Sequence, residues 1–145
     1  AHDDYAGGDI LATMASANTE GLLIAQIETA AGVRHAGEIA AVDGIDVLWI
    51  GHFDLTNSMG IPAQFGHPDF KRAVDRVLAA ATRNNKAVGM MVADVEDGKA
   101  KLALGFRAIA YSGDLWIYQT ALRQGLDALR DYAASAPAAG TGQSS

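Results

Sequence analysis

Four short apolar runs punctuate the chain: Leu22–Ile27, Val47–Gly51, Ala87–Val92 and Ala108–Tyr111. Runs of this length, with no polar alternation, suit strands buried on both faces, as in parallel sheets. Between them the spacing turns helical. Asp9 is placed to cap a first helix through Met14, with Asn18 near its end. Val33, Ala36 and Ala40 share one helical face, and Gly44 suits the exit. Pro68 stands where a first helical turn tolerates proline. Phe70, Val74, Val77, Leu78 and Ala81 then form an apolar stripe that Asn84 and Asn85 end. A shorter helix fits Val95 to Leu104, with Gly105 beyond it. Leu115, Tyr118, Leu122, Leu126 and Leu129 recur every three or four residues and mark a last helix.

The order is a helix, then strand and helix four times over. Such alternation predicts an α/β fold with parallel strands and right-handed crossovers. Residues 1–133 form the expected folded domain. Residues 134–145, ASAPAAGTGQSS, are small and polar and predict a disordered tail. The longest stretch without a clear period runs from Gly51 to His67, and loops of that length in compact domains are often functional.

Composition narrows the function classes. The chain has 145 residues, half of them hydrophobic, which suffices for one domain with a real core. Its net charge is −6 and its Lys and Arg residues are scattered, which argues against nucleic acid as a main partner. No apolar run is long enough for a membrane span. The start, AHDDYAGGD, lacks the basic and apolar regions of a signal peptide, so a cytoplasmic protein is expected. With no cysteine, disulfides and thiolate metal sites are excluded.

Ligands of parallel α/β folds bind beyond the carboxyl ends of the strands. Glu28, Asp54, Asp94 and Asp114 fall at such ends. Asp94 and Asp114 precede helical patterns and read first as N-caps. Glu28 is a poor cap at the end of a strongly apolar strand, so it is either a metal or substrate ligand or half of a structural ion pair. Asp54 is either its partner or a turn residue. Two carboxylates on neighbouring strands can share a divalent cation through hard oxygen ligands. His52 lies in the same region, as a ligand or a local hydrogen bonder. His67 belongs to a helix entry and His35 to an exposed helix face. The chain has no P-loop, no dinucleotide fingerprint and no Ser-His-Asp spacing.

The segment QIETAAGVRHAGEIAAVDGIDVLWIGHFDLTNSMG resembles the HpcH/HpaI family of metal-dependent pyruvate and 2-oxo acid aldolases, among the phosphoenolpyruvate/pyruvate barrels. The likeness runs from about Asn18 to Leu129 and rests on two blocks: Q-I-E at a strand end, and G-x-x-D-L-(S/T)-x-S-M-G after the next strand. YSGDLW before the last helix resembles the family's final strand and helix. The resemblance implies the C-terminal half, four βα units, of a TIM (β/α)8 barrel. It implies Glu28 and Asp54 as ligands of Mg²⁺, Mn²⁺ or Co²⁺, and Gln26 as a catalytic residue that contacts substrate or metal-bound water. It implies a substrate carboxylate held by the turn Gly51, His52, Phe53 and Asp54, with the Phe53 amide as donor. Many family members have G-P-(S/A)-D where this chain has Gly51-His52-Phe53-Asp54, which narrows the pocket near Phe53.

The implied chemistry is formation or cleavage of 4-hydroxy-2-oxo acids through a metal-stabilised, pyruvate-type enolate. No Schiff-base lysine stands at a strand's carboxyl end; Lys86 lies at a strand start. A whole (β/α)8 barrel takes about 250 residues. The family's substrate arginine and histidine base come from earlier strands and have no counterpart here. The expected partner is therefore the N-terminal half of the same barrel, as a fragment or a separate chain. A homo-oligomer, a hexamer by resemblance, is also implied. Two alternatives stand beside the aldolase: a non-catalytic half-barrel assembly or metal-binding module, and a carbon–carbon lyase for acyl-CoA-type substrates.

Overall fold

The computed structural model describes residues 9–136. The chain divides into two compact units, residues 1–110 and 111–145. The first unit begins with α1 (Ile10–Glu20), whose N-cap Asp9 accepts hydrogen bonds from the Leu11 and Ala12 amides. Then follow β1 (Ile24–Ile27), α2 (Ala30–Arg34), α3 (Ala36–Ala40), β2 (Val47–Ile50), α4 (His52–Ser58), α5 (Pro68–Arg83), β3 (Ala87–Val92), α6 (Val95–Ala103) and β4 (Ala108–Tyr111). The strands lie in the order β1-β2-β3-β4, with β1–β2 and β2–β3 paired in parallel. Four parallel strands alternating with helices is the partial α/β fold anticipated above.

Register explains how uninterrupted apolar strands serve two faces. Ala25, Leu48 and Val88 are aligned across the sheet, and so are Gln26, Trp49 and Gly89. Strand side chains alternate between faces. Ile27, Leu48, Ile50, Val88, Met90 and Val92 point into the buried cluster shared with Val33, Ala36, Ala40, Phe70, Val74, Val77, Ala81 and Phe106. The opposite face carries Ile24, Gln26, Val47, Trp49, Ala87 and Gly89. On that face the Trp49 indole lies across Gly89. A Cβ there would come within 2.5 Å of the indole and 2.8 Å of the Ala108 Cβ.

Several boundaries differ from the sequence expectation. The helix through Val33 and Ala40 breaks at His35 into α2 and α3, yet Val33, Ala36 and Ala40 are all buried, so the apolar face survives the break. The stretch from Gly51 to His67 is not all irregular, because α4 occupies its first half. Leu55 and Thr56 bury there, the Leu55 amide donates to the Gly51 carbonyl at 2.8 Å, and the Thr56 hydroxyl donates to the Phe53 carbonyl at 2.8 Å. His67 caps α5, its Nδ1 accepting from the Asp69 amide. Asp94 caps α6 by accepting from the Asp97 amide at 2.9 Å. Asp114 is the first helical residue rather than the cap, which is Gly113.

The second unit holds α7 (Asp114–Ser135). Leu115, Tyr118, Leu122, Leu126 and Leu129 lie on it as the spacing predicts, and all are exposed. The helix continues through Ser135, two residues into the anticipated tail. Residues 137–145 of that tail lie outside the described residues. Among the described residues no helix is long and apolar enough to cross a membrane.

Candidate functional site

The site is built where β1 and β2 end. Gln26 lies on β1 and Glu28 follows its last residue, two positions on, which brings their side chains to the same side. The Gln26 Nε2 donates to the Glu28 Oε2 at 2.7 Å, which fixes both side chains. The next strand ends beside them. The Gly51 amide donates to the Ile27 carbonyl at 3.2 Å. A Cβ on Gly51 would lie 2.9 Å from the Gln26 Nε2 and 3.0 Å from the Glu28 Cβ. Glycine lets the Gln26 and Glu28 side chains sit close to β2; a side chain here would displace the Gln26 amide and press on the Glu28 Cβ.

From Gly51 the chain turns at once into α4, which carries His52, Phe53 and Asp54 in its first turn. The first turn of a helix has amides with no partner inside the helix, and these three amides precede the first intrahelical bond, made by Leu55. The helix is tied to the preceding unit. The Ala30 amide, two residues past Glu28, donates to the Ser58 hydroxyl at 3.0 Å. Thus Gln26, Glu28 and Gly51 are in contact where β1 and β2 end, and His52, Phe53 and Asp54 follow in the first turn of α4. Asp94 and Asp114 serve helix starts instead.

The donor set suits a hard divalent cation. Among the described residues, neither Glu28 nor Asp54 is paired with a Lys, Arg or His. The ion-pair reading of Glu28 therefore finds no support. Nor do three His, Asp or Glu side chains converge on one point among the described residues. A pair of carboxylates is nevertheless what Mg²⁺ commonly takes from a protein, with water and substrate completing its shell.

His52 is half-buried, and burial lowers its pKa from the ordinary 6.5; Asp97 and Asp54 oppose that shift and Lys101 adds to it. Its ring also opens an aromatic cluster that sequence reading missed. His52 and Phe53 have ring centroids 4.7 Å apart, His52 and Phe65 5.1 Å, and Phe53 and Phe65 5.0 Å. Phe65 in turn meets Phe70 at 5.8 Å. Only His52 and Phe53 are sequence neighbours, so no local periodicity announces the group.

The chain is similar to known proteins over most of its length. A family model described as HpcH/HpaI aldolase/citrate lyase matches residues 4–120. A hydroxypyruvate/pyruvate aldolase of Paraburkholderia phytofirmans is 36% identical over 115 residues, covering 79% of this chain and 44% of the relative. A 2-keto-3-deoxy-L-rhamnonate aldolase of Klebsiella pneumoniae is 35% identical over 109 residues, covering 75% of this chain and 41% of the relative. The crystal structure of an HpcH/HpaI aldolase/citrate lyase family protein from Burkholderia cenocepacia superposes with a TM-score of 0.77 at 36% identity, covering 81% of this chain and 46% of that one. The chain thus spans under half the length of these relatives. The structural neighbours are TIM barrels, and this chain corresponds to about half of each.

Proposed function

Because the chain belongs to the HpcH/HpaI aldolase/citrate lyase family, we propose that it is the C-terminal half of a metal-dependent aldolase that forms or cleaves 4-hydroxy-2-oxo acids. The observation that carries this reading is the pair of carboxylates that have no cationic partner among the described residues, Glu28 and Asp54, one after β1 beside the Gln26 amide and one in the turn after β2. Glu28 and Asp54 hold Mg²⁺, Mn²⁺ or Co²⁺. When bound, the cation supplies a Lewis acid for the negative charge that develops on a 2-oxo acid's keto oxygen.

The chain's own groups do the rest. Gln26 keeps the Glu28 carboxylate turned toward the site. The Phe53 amide, with the neighbouring amides of the α4 turn, donates to the substrate carboxylate. Gly51 leaves room for the close approach of β1 and β2. The substrate arginine and the proton-transfer base come from the remaining half of the barrel. That half also covers the edge of the sheet at β1, where Leu22, Leu23 and Ile24 are exposed. We place the assembled protein in the cytoplasm as a homo-oligomer.

The test is retro-aldol cleavage of a 4-hydroxy-2-oxo acid by the assembled barrel, assayed by pyruvate release. Activity should require Mg²⁺, Mn²⁺ or Co²⁺ and vanish in Glu28→Ala. Full activity in that variant, or none in the metal-loaded protein, would sink the proposal.

A further inference from the structure

The segment after β2 does more than deliver Asp54. It builds a ledge of aromatic rings from the core to the rim of the site. Phe70 is 4% exposed and anchors the ledge in α5, Phe65 is 38% exposed, and Phe53 is 52% exposed. The rings meet edge to face: Phe65 on Phe70 at 64°, and Phe53 on Phe65 at 88°. Offset and edge-to-face contacts of this kind add to area burial and fix orientation. The His52 ring closes the group against both Phe53 and Phe65.

Exposed large side chains are common on this chain, so what sets the ledge apart is that its rings touch one another and that it begins in the turn that carries Asp54. Phe53 is flanked by His52 and Asp54 in the first turn of α4, at the carboxyl end of β2. The ledge therefore starts in the turn that carries Asp54 and runs through Phe65 to Phe70 of α5, within the first compact unit. Phe53 and Phe65 offer no side-chain hydrogen-bond donor or acceptor along it.

We infer that the Phe53–Phe65 ledge is the wall against which the acceptor aldehyde's substituent seats, so that the enzyme takes aldehydes with an apolar or aromatic substituent in preference to polyhydroxylated ones. The inference rests on the aldolase reading and deepens it. A hydroxyl placed on this wall would lose its water without gaining a partner, which is costly. An apolar substituent gains burial and ring contact. Pocket differences of a methylene or two are worth roughly 10–200-fold in kcat/KM, and a phenyl ring against a phenyl ledge belongs in that range.

Two measurements on the assembled barrel separate this inference from its premise. The first is exchange of the pyruvate C3 hydrogens for deuterium, followed by NMR with no aldehyde present. The second is the ratio of kcat/KM for benzaldehyde to that for glyceraldehyde, with pyruvate as donor. The expected result is exchange, with a ratio above about ten in the wild type. Phe65→Ala should cut that ratio by about tenfold through a raised KM for benzaldehyde, and Phe65→Leu should restore part of it. Exchange with a ratio near one, or a ratio indifferent to both Phe65 variants, overturns the inference while leaving the aldolase reading intact. No exchange in the metal-loaded wild type overturns both.

Discussion

Gly89→Ala is the substitution that tests the register of the sheet most sharply. The added Cβ would lie 2.5 Å from the Trp49 Cε3 and 2.8 Å from both the Trp49 Cζ3 and the Ala108 Cβ, where ordinary contact begins at 3.4 Å. Two strands crowd the same point, so neither can yield without disturbing its own pairing. Overpacking of this kind costs about 1–3 kcal/mol. Replacing a strand glycine by alanine recovers only about 0.5–1 kcal/mol of chain entropy. The clash wins, and a net loss of about 1–2 kcal/mol is expected. Urea unfolding monitored by circular dichroism would measure it. The decisive arm is a double-mutant cycle with Trp49→Ala. Removing the indole removes two of the three nearest contacts and leaves the Ala108 methyl. Gly89→Ala should then cost less than half as much, giving a coupling of about 1 kcal/mol. Equal cost in both backgrounds would refute the stacking of Trp49 on Gly89, and with it the row Gln26–Trp49–Gly89 beneath the site.

Three further outcomes are expected. Gly51→Ala should shift the Gln26 amide and move the Glu28 Cβ by a few tenths of an ångström, because its own Cβ would lie 2.9 Å from the first and 3.0 Å from the second; a crystal structure of the variant with the Gln26–Glu28 hydrogen bond unchanged would contradict the packing. Asp94→Ala should remove the cap of α6 and about 0.5–2 kcal/mol of stability, with faster hydrogen exchange at the Asp97 amide that now loses its acceptor; unchanged exchange there would contradict the assignment. His52 should titrate below 6.5 in an NMR titration, because burial disfavours its charged form. A depressed folded pKa means its stabilising contribution is fully present above the unfolded value and lost as pH falls through the folded one, so a midpoint at or above 6.5 would refute it.

Much of this fold was legible in the chain because its signals were strong and local. Continuous apolar runs located all four strands, and the third and fourth to the residue. Pro68, Asp94 and Asn84 sat where helix chemistry requires them. The divided helix at His35 was hidden because Val33, Ala36 and Ala40 keep one face through the break. The short helix α4 was hidden for another reason. Its cap is Gly51, with no side-chain hydrogen bond to announce it, and seven residues are too few for a period to emerge.

The site was legible in part. Glu28 stood out because a carboxylate closing an apolar strand needs an explanation. Asp54 stood out by the same rule at the end of the next strand, and the likeness of the surrounding blocks to an aldolase family added Gln26, whose amide bonds Glu28. The sequence could not say which strand residues face which side, since Leu48 and Trp49 are both apolar yet point oppositely. The aromatic ledge was out of reach because Phe53, Phe65 and Phe70 meet only after the chain turns through residues 59–67. Its discovery needed tertiary structure.

In the proposed chemistry Glu28 and Asp54 act together on one cation. The most direct test is Mn²⁺ titration of the assembled barrel followed by electron paramagnetic resonance, in the wild type, Glu28→Gln and Asp54→Asn. Even outer-shell changes cost metal sites roughly 10–100-fold in affinity, so losing either carboxylate should weaken binding at least that much. One Mn²⁺ per site, weakened by both variants, is the predicted result. Binding that neither variant disturbs would contradict the central claim.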